Sequence, residues 1–544
     1  MKPASHSLSR LFPRDRVNLG RQIERGVGFV VGLTKRGPAS RDPRLHDLLL
    51  RAGVLQRDPS SWEDSPILDG LPWGAERVKA PPATPPLALE GPWPQAPVFD
   101  PEMYPPVLNI DPADRKDHFL HNVTRYLGQV TRHWPAAAQR ARLGPRLVPL
   151  TDERFTEILT RTSLGQFVTL DLEARDRSAF AAVLAGAPER HAKADFSFMP
   201  AEAALPGVHV APTVTLFRRD ADRYVPVAIR VGERIFTPND GPSWELARYF
   251  VLQGAQTRLV NSTHARLHFP ADVISAIGRS VLPAGHVVHR LLVPHAAFTP
   301  GLHEAVIHHR RSVLHNSQRE LYTPFAFTTE GIHALVVVGR NGLPGTRAYP
   351  AYRFGEELFG AHVPYGQFRQ DWFDLYLQFT KEVLSGVGPD DVHVRAFADH
   401  VHTWLPSFPT GDAIFEGDTL PRALASHICT LSVYHSGDHH SYSAIPPAQL
   451  PWRIRIPSPD VQAPGSLDPS ALVSAEDHFR HLLCHPMFFA PVIRRSVREV
   501  SYQFRQARAR RAEENLHAGM ETLDARWARS GFPSSREIAC SVQY

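Results

Sequence analysis

The amino-acid sequence predicts a mainly α-helical protein that carries one small β-sheet. Two observations lead to this fold class. Most of the chain after residue 114 consists of long stretches with apolar residues at helical spacing, and one segment alternates in the manner of paired strands. With 43% hydrophobic and 21% charged residues among 544, the chain has the composition of a globular protein that can bury a large core.

The N-terminal part, residues 1–105, is predicted to be an extension rather than a compact domain. It is rich in arginine and proline, and the prolines of 80–97 (APPATPPLALEGPWPQAP) exclude a continuous helix or a central strand. No run of alternating strands with hairpin turns is visible there, so an N-terminal β-barrel is not indicated. We expect an ordered arm that packs on a main body formed by residues 106–544.

The main body begins with a predicted helix from Asp114, in which Phe119, Val123 and Val130 lie on one face. A small sheet follows at 209–238, with its turn at 220–223. Further helices are predicted at 244–267, 269–282, 367–384, 421–440, 475–483 and 492–529.

Composition also excludes several classes of protein. The three cysteines, Cys429, Cys484 and Cys540, cannot form a disulfide framework and do not have zinc-knuckle spacing. No apolar stretch is long enough for a membrane helix, and 26–33 lacks the features of a secretory signal. We therefore expect a cytoplasmic protein with at most peripheral membrane contact. The arginines of 494–511 suggest a solvated helix face, because no nucleic-acid-binding module accompanies them.

Histidines are numerous, with 29 in the chain, and nine of them fall between His264 and His315. His264 and His268 are four residues apart, and so are His435 and His439. On an α-helix this spacing places two side chains on one face, about 5–6 Å apart at Cβ. His435 also lies on the apolar stripe of its helix, so it should be buried.

A metal site explains two such pairs better than four separate core histidines do, because buried imidazoles need partners. Imidazole ligands without thiolate suit iron, zinc, copper or nickel. A closed four-histidine site would be structural, whereas one with an open position would be catalytic. His440, His286 and His289 are weaker candidates, since the first points elsewhere on its helix and the others follow a helix-breaking stretch.

Several motifs resemble the catalytic domain of the lipoxygenase family. The segment GHVVHRLLVPH, from Gly285 to His295, is similar to the family signature in which a histidine precedes Leu-Leu-x-Pro-His. Trp244 stands twenty residues before His264, and His268 stands eighteen before His286, which are the family intervals. The resemblance covers roughly residues 200–544 and implies one large helical catalytic domain with a small β subdomain.

The resemblance extends to the metal ligands. His435 and His439 match the later ligand helix of the family, which supplies two further ligands. The terminal run EIACSVQY resembles the family ending, in which the carboxylate of the last residue binds the metal, and this implies Tyr544 as a fifth ligand. His286, His295 and Tyr442 are then expected to surround the ligands without binding the metal.

The activity that this resemblance implies is insertion of O2 into a polyunsaturated fatty acid to give a hydroperoxide. Non-haem iron is the implied metal, with manganese possible, and no catalytic side chain is implied beyond a hydroxide held by the metal. Expected partners are a lipid substrate and O2, with no nucleic acid. Two alternatives stay open: different oxidative chemistry on another metabolite or a hydroperoxide, and a non-catalytic lipid-binding protein.

The chain also departs from the family pattern. Its first ligand pair is four residues apart, which an ordinary α-helix satisfies, whereas the family interval is five with a local π-type widening. Phe269-Pro270 replaces the usual Glu-Pro. Tyr442 stands where glutamine is common, and Tyr544 replaces the usual terminal isoleucine. These changes favour the first alternative.

Overall fold

The computed structural model describes residues 132–543, with gaps at 134–135, 221–222, 297–298, 300–323, 342–361 and 457–468 and at a few single positions. The predicted extension 1–105 lies outside the described residues, and so does almost all of the helix predicted from Asp114.

The described part is mainly helical. Most of its longer helices have one polar and one apolar face, and the apolar face packs against neighbouring elements. The helices are α1 (Asp152–Arg161), α2 (Ala174–Ala179), α3 (Ala181–Leu184), α4 (Pro242–Thr257), α5 (His264–Val281), α6 (Val287–Leu292), α7 (Thr329–Asn341), α8 (Pro364–Leu384), α9 (Val392–Trp404), α10 (Thr419–Cys429), α11 (His435–Ser443), α12 (Ala475–Cys484) and α13 (Ala507–Trp527).

The predicted sheet is confirmed as an antiparallel meander of five strands in chain order. Asp220 pairs with Arg223 at the predicted turn, and a register shift at Leu216/Phe217 bends the central hairpin. The strands are β1 (Val168–Thr169), β2 (His191–Asp195), β3 (Thr213–Asp220), β4 (Arg223–Val231) and β5 (Arg234–Phe236). Helix α4 packs on β3 and β4.

Three π-helical turns adjoin helices within the described residues, and none of them was predicted. Arg258–Thr263 connects α4 to α5, Thr430–Tyr434 connects α10 to α11, and His485–Phe489 extends α12. Two of these turns end directly before a histidine pair, at His264 and at His435.

Two large groups of buried apolar side chains form the core. One surrounds the sheet and α4, and the other lies among α5, α8, α9, α10 and α13. Helix α5 reaches both groups, with Phe269 in the first and Val273 in the second. The histidine pairs therefore lie where the two cores meet, on helices that both cores hold in place.

The helix predicted at 492–529 is wrong over its first part, because α13 begins only at Ala507. Residues before it bond to the end of the chain instead: Val497 donates to the Ile538 carbonyl, and the Cys540 N–H donates to Arg495. The break predicted at residue 268 is also wrong, since α5 continues through Pro270. Pro270 has no N–H and removes one helical hydrogen bond, but the burial of Phe269 and Ala271 beside it stabilises the helix by more than this loss.

The helices α1, α2, α3, α6, α7 and α9 and the strands β1 and β2 were not predicted. Helix α9 does carry a local signal, because Asp391 accepts from the N–H groups of His393 and Val394 as its N-cap. Within the described residues, no helix has the length and apolar character needed to cross a membrane.

Candidate metal centre

The four predicted ligand histidines converge from α5 and α11. Ring centroids are 5.7 Å apart for His264 and His268 and 4.5 Å apart for His435 and His439. Between the helices, His268 lies 4.8 Å from His435, and His264 lies 4.8 Å from His439. The two helical pairs therefore face each other and form one cluster.

The ring nitrogens are close enough to share a cation. One nitrogen from each of His264, His268 and His435 lies within 4.8 Å of the others. The Nε2 atoms of His264 and His439 are 2.9 Å apart. If two imidazole nitrogens bind one ion at about 2.1 Å and the angle between the two bonds is about 90°, the nitrogens are about 3.0 Å apart. The donor atoms thus fit a metal with nitrogen ligands.

The π turn before α5 orients His264. The carbonyl of Leu259 accepts the backbone N–H of His264, which is the five-residue bond of a π turn, and it also accepts from ring Nδ1 at 3.0 Å. A carbonyl can only accept, so Nδ1 carries the proton and Nε2 presents its lone pair towards the other histidines. This arrangement of a backbone acceptor behind a ligand histidine is typical of metal sites.

Burial favours the neutral, metal-binding form of the cluster. His435 and His439 are buried, while His264 and His268 are half-buried. Loss of solvation lowers the pKa of His264, and the nearby Asp438 only partly opposes this effect. Metal ligands must be deprotonated, so a lowered histidine pKa helps binding.

Asp438, which was not predicted as a site residue, lies between the two histidines of α11 in the sequence. Its carboxylate is buried and accepts from the Tyr365 hydroxyl at 2.5 Å and from Gln166 at 3.1 Å. Burial raises its pKa, although Arg369 acts in the other direction. The signal in the sequence was an acid on the ligand helix itself, three residues after His435.

Arg369 completes this network from α8. It donates to Gln166 at 3.1 Å, and its guanidinium lies 4.1 Å from the ring centroid of Tyr434, the residue before His435. Gly437 allows the close approach, because a Cβ there would lie 2.8 Å from the Tyr365 hydroxyl. The network connects α11 to α8 and to Gln166.

Tyr442, His295 and His286 were expected around the ligands, and they lie at different distances from the histidine cluster. Tyr442 is buried, donates to Gln256 at 3.0 Å and packs on Phe489, whose ring is also 5.7 Å from His439. It therefore lies one side chain away from a candidate ligand.

His295 and His286 lie farther out. The buried His295 bonds to the Cys540 carbonyl at 2.6 Å and to the Tyr502 hydroxyl at 2.9 Å, so it holds the C-terminal segment. His286 caps α6 and bonds to Asp391 at 2.9 Å. Its contacts within the described residues do not include the four clustered histidines.

Tyr544 itself lies outside the described residues, but the chain is described up to its neighbour. Gln543 is buried, and its side chain bonds to the backbone of Arg494 and Arg495. Val542 packs on Ala271 and Leu431. Ala271 belongs to α5 and Leu431 to the π turn before His435, so the end of the chain runs beside α5 and beside the turn that leads into α11.

Comparison with solved structures finds the same fold in lipoxygenases. A coral 8R-lipoxygenase superposes with a TM-score of 0.64 and 15% identity, over 83% of this chain and 79% of that one. A manganese lipoxygenase gives 0.62 and 16%, over 79% and 91%. A calcium-dependent 11R-lipoxygenase gives 0.60 and 14%, over 75% and 66%.

These likenesses show that the chain has the fold of lipoxygenase catalytic domains, as its motifs had indicated. No protein-family model matches the sequence, and a comparison with curated proteins finds no relative. At such low identity, the likeness establishes the fold and not the reaction.

Proposed function

We propose that the protein is a metal-dependent dioxygenase that inserts O2 into a polyunsaturated fatty acid and releases a hydroperoxide. The observation that carries this proposal is the convergence of His264, His268, His435 and His439. It occurs within a fold whose solved examples are lipoxygenases.

The proposed ligands are these four histidines and the terminal carboxylate of Tyr544. Support for the fifth ligand comes from Gln543 and Val542, which anchor the chain end beside α5 and the second π turn. When bound, iron or manganese supplies one-electron redox chemistry, which is needed to oxidise the methylene group between two double bonds. Imidazole and carboxylate together suit both metals.

The chain's own residues hold the ligands in position. Leu259 keeps the proton of His264 on Nδ1, so that Nε2 is available. Tyr365 and Gln166 hold Asp438, which fixes α11 between His435 and His439. Such groups behind a metal site typically change metal affinity or activity by about 10–100-fold when removed.

Different observations favour iron and manganese as the bound metal. One of the structures that share this fold is a manganese lipoxygenase, whereas the resemblance of the motifs implies iron. The histidine cluster alone does not discriminate, because nitrogen ligands accept both ions. We propose iron first and manganese as its alternative.

A second candidate is an oxidase or hydroperoxide-converting enzyme built on the same site. It is favoured by Tyr442, a buried phenol one side chain away from His439. Burial raises the pKa of the Tyr442 hydroxyl well above its ordinary value, so the group stays protonated. A neutral phenol in this position could serve reactions that the usual glutamine does not.

The experiment that tests the proposal is metal analysis of the purified protein followed by assays with linoleate, arachidonate and their hydroperoxides. The proposal expects close to one iron or manganese per chain, oxygen uptake, and new conjugated-diene absorbance. Consumption of hydroperoxides without oxygen uptake would instead support the second candidate. A protein that holds only zinc, or no metal, contradicts both.

A further inference from the structure

The proposed reaction leaves His295, the last residue of the Gly285–His295 segment, without a role. It lies at the end of the short turn Val293–His295 that follows α6, and it is fully buried. Both of its ring nitrogens form hydrogen bonds: Nδ1 lies 2.6 Å from the Cys540 carbonyl oxygen, and Nε2 lies 2.9 Å from the Tyr502 hydroxyl. The ring therefore connects three separate parts of the chain.

The two partners fix the protonation of the ring. Because a carbonyl can only accept, Nδ1 carries the proton and donates to Cys540, and the lone pair of Nε2 accepts from Tyr502. Burial lowers the pKa of His295 to about 4, although the bond to Cys540 acts in the other direction. The ring is therefore neutral near pH 7, in the one tautomer that satisfies both partners.

Cys540 belongs to the last described residues, 538–543, which are referred to here as the terminal segment. The Cys540 N–H donates to the Arg495 carbonyl at 2.9 Å, so both backbone groups of Cys540 are bonded. The Ala539 N–H donates to the Ser436 hydroxyl at 3.0 Å, and Ser436 is the second residue of α11. The terminal segment thus contacts the helix that carries two of the candidate ligands.

Tyr502 anchors the other side of the His295 ring. It is buried, and its N–H donates to the Glu513 carboxylate of α13 at 3.0 Å. Tyr502 lies in the same connection between α12 and α13 as Arg495, which pairs with the terminal segment. Removal of the imidazole would leave a carbonyl and a hydroxyl buried without this partner, which is unfavourable.

We propose that His295 is a positioning residue, which holds the terminal segment where the carboxylate of Tyr544 can bind the metal. This inference rests on the proposed function, which makes Tyr544 the fifth ligand. Cys540 stands four residues before Tyr544, and Val542 between them packs on α5 and on the turn before α11. The described contacts of His295 do not include the four clustered histidines, so it acts on the metal through the terminal segment.

The test measures metal affinity by chelator competition in the full chain, in His295→Leu, in a chain without Tyr544, and in a chain with both changes. Groups behind a metal site change its affinity by about 10–100-fold, so His295→Leu should weaken binding of iron or manganese by about tenfold or more in the full chain. Without Tyr544, the same substitution should weaken binding less than about twofold, because the carboxylate that it positions is already absent.

Three further variants separate this role from general damage to the core. His295→Asn keeps an N–H donor near the position of Nδ1 and should restore affinity towards the parental value. Tyr502→Phe removes only the bond to Nε2 and should weaken binding less than His295→Leu, again only when Tyr544 is present. His191→Leu is the matched control in β2, because His191 is also buried and donates from Nδ1 to a carbonyl, that of Ala187 at 2.9 Å. It should leave metal affinity unchanged.

Hydrogen exchange of the metal-free proteins shows whether the terminal segment is released. The N–H groups of Ala539 and Cys540 should lose protection in His295→Leu and keep it in His191→Leu. Unchanged protection, parental metal affinity in a folded His295→Leu protein, or equal weakening with and without Tyr544 would each overturn the inference and leave the histidine centre intact. A parental chain that binds neither iron nor manganese contradicts the proposed function itself, and the inference falls with it.

Discussion

At the scale of single residues, the centre depends on which ring nitrogen each histidine presents. For His264 the answer is set by Leu259, a residue with no chemistry of its own side chain, whose carbonyl accepts from Nδ1. On α11, the buried carboxylate of Asp438 accepts from the Tyr365 hydroxyl, and this bond helps to hold the helix that carries His435 and His439. Groups outside the histidine cluster therefore orient one of its rings and hold one of its helices.

The hydrogen bond from the Tyr365 hydroxyl is the shorter of the two described bonds to Asp438. The variant Tyr365→Phe tests the role of this bond. The change removes one donor from a buried carboxylate, which should cost about 1–3 kcal/mol of unfolding free energy. It should also lower metal affinity about tenfold, since α11 loses a positioning contact. Chelator competition and denaturant unfolding measure the two effects.

Tyr376→Phe is the control on the same helix. The Tyr376 hydroxyl is buried without a hydrogen-bond partner among the described residues, so its removal should cost little. If both variants keep the parental metal affinity, the Asp438 network does not position the ligands.

Residue patterns predicted the four histidines, but not their supporting groups. A spacing of four on a helix is visible in the sequence, and the structure brings those side chains together. Asp438 was visible too, yet its role depends on Gln166 and Tyr365. Those partners are 272 and 73 residues away along the chain, and a one-dimensional pattern does not connect them.

At the scale of elements, the π turns are the feature that places both histidine pairs. Each turn adds a wider hydrogen-bonded ring to an otherwise regular helix, directly before the first histidine of a pair. The spacing of four predicted an ordinary α-helix, and both pairs do lie in α-helix. The π-type widening lies in the turn before each histidine pair, so the spacing within a pair does not reveal it.

Helix α7 supports the first π turn through a very close approach. A Cβ at Gly339 would overlap the carbonyl of Ser262, and the Ser262 hydroxyl donates to Leu335 at 2.9 Å. Gly339→Ala should therefore push α7 away from the π turn, at a cost of about 1–3 kcal/mol for overpacking. Metal content should fall with it, because His264 directly follows this turn.

Gly386→Ala provides the comparison, since an added Cβ there meets no atom within 4 Å. Thermal unfolding and metal content of the two variants should differ clearly. Equal behaviour of both would show that the close approach of α7 does not support the metal centre.

The errors at this scale also have physical causes. The helix predicted at 492–529 failed in the part where the backbone of Arg495 and Val497 bonds to residues 538–540. Such pairing between distant segments outweighs local helical preference. The hairpin of β3 and β4 was predicted correctly because a short turn joins its strands and its signal is local, whereas β1 and β2 lie outside the predicted segment.

At the scale of the whole molecule, a buried ion pair holds α12 against the segment that carries Arg453 and Arg455. Asp477 of α12 is buried and bonds to Arg453 at 3.0 Å and to Arg455 at 2.7 Å. Burial alone would raise the pKa of Asp477, but Arg453, Ser474 and Arg455 together hold it below its ordinary value of 3.8. The carboxylate is therefore more acidic in the folded than in the unfolded protein.

This difference gives a pH-dependent contribution to stability. It is fully present above pH 3.8, the unfolded value, and is lost as the pH falls through the lower folded pKa of Asp477. Asp477→Asn should lower the unfolding free energy at pH 7 by about 3 kcal/mol, because Arg453 keeps a buried charge. The variant should lose less stability than the parent on acidification, as measured by urea unfolding at several pH values. A parallel pH dependence in both proteins contradicts this account of the ion pair.

The molecule as a whole combines a lipoxygenase-like fold with a histidine cluster at the junction of its two cores. The order and intervals of the motifs indicated this fold from the sequence. The extension 1–105 and Tyr544 lie outside the described residues, so both stay predictions.

The most direct test of the central claim is the metal content of His435→Ala beside that of His440→Ala. His435 is fully buried within the cluster, whereas the half-buried His440 lies elsewhere on α11. With circular dichroism confirming that both variants fold, we predict that His435→Ala loses its iron or manganese and that His440→Ala retains it. Full metal occupancy in a folded His435→Ala protein would contradict the assignment of the centre.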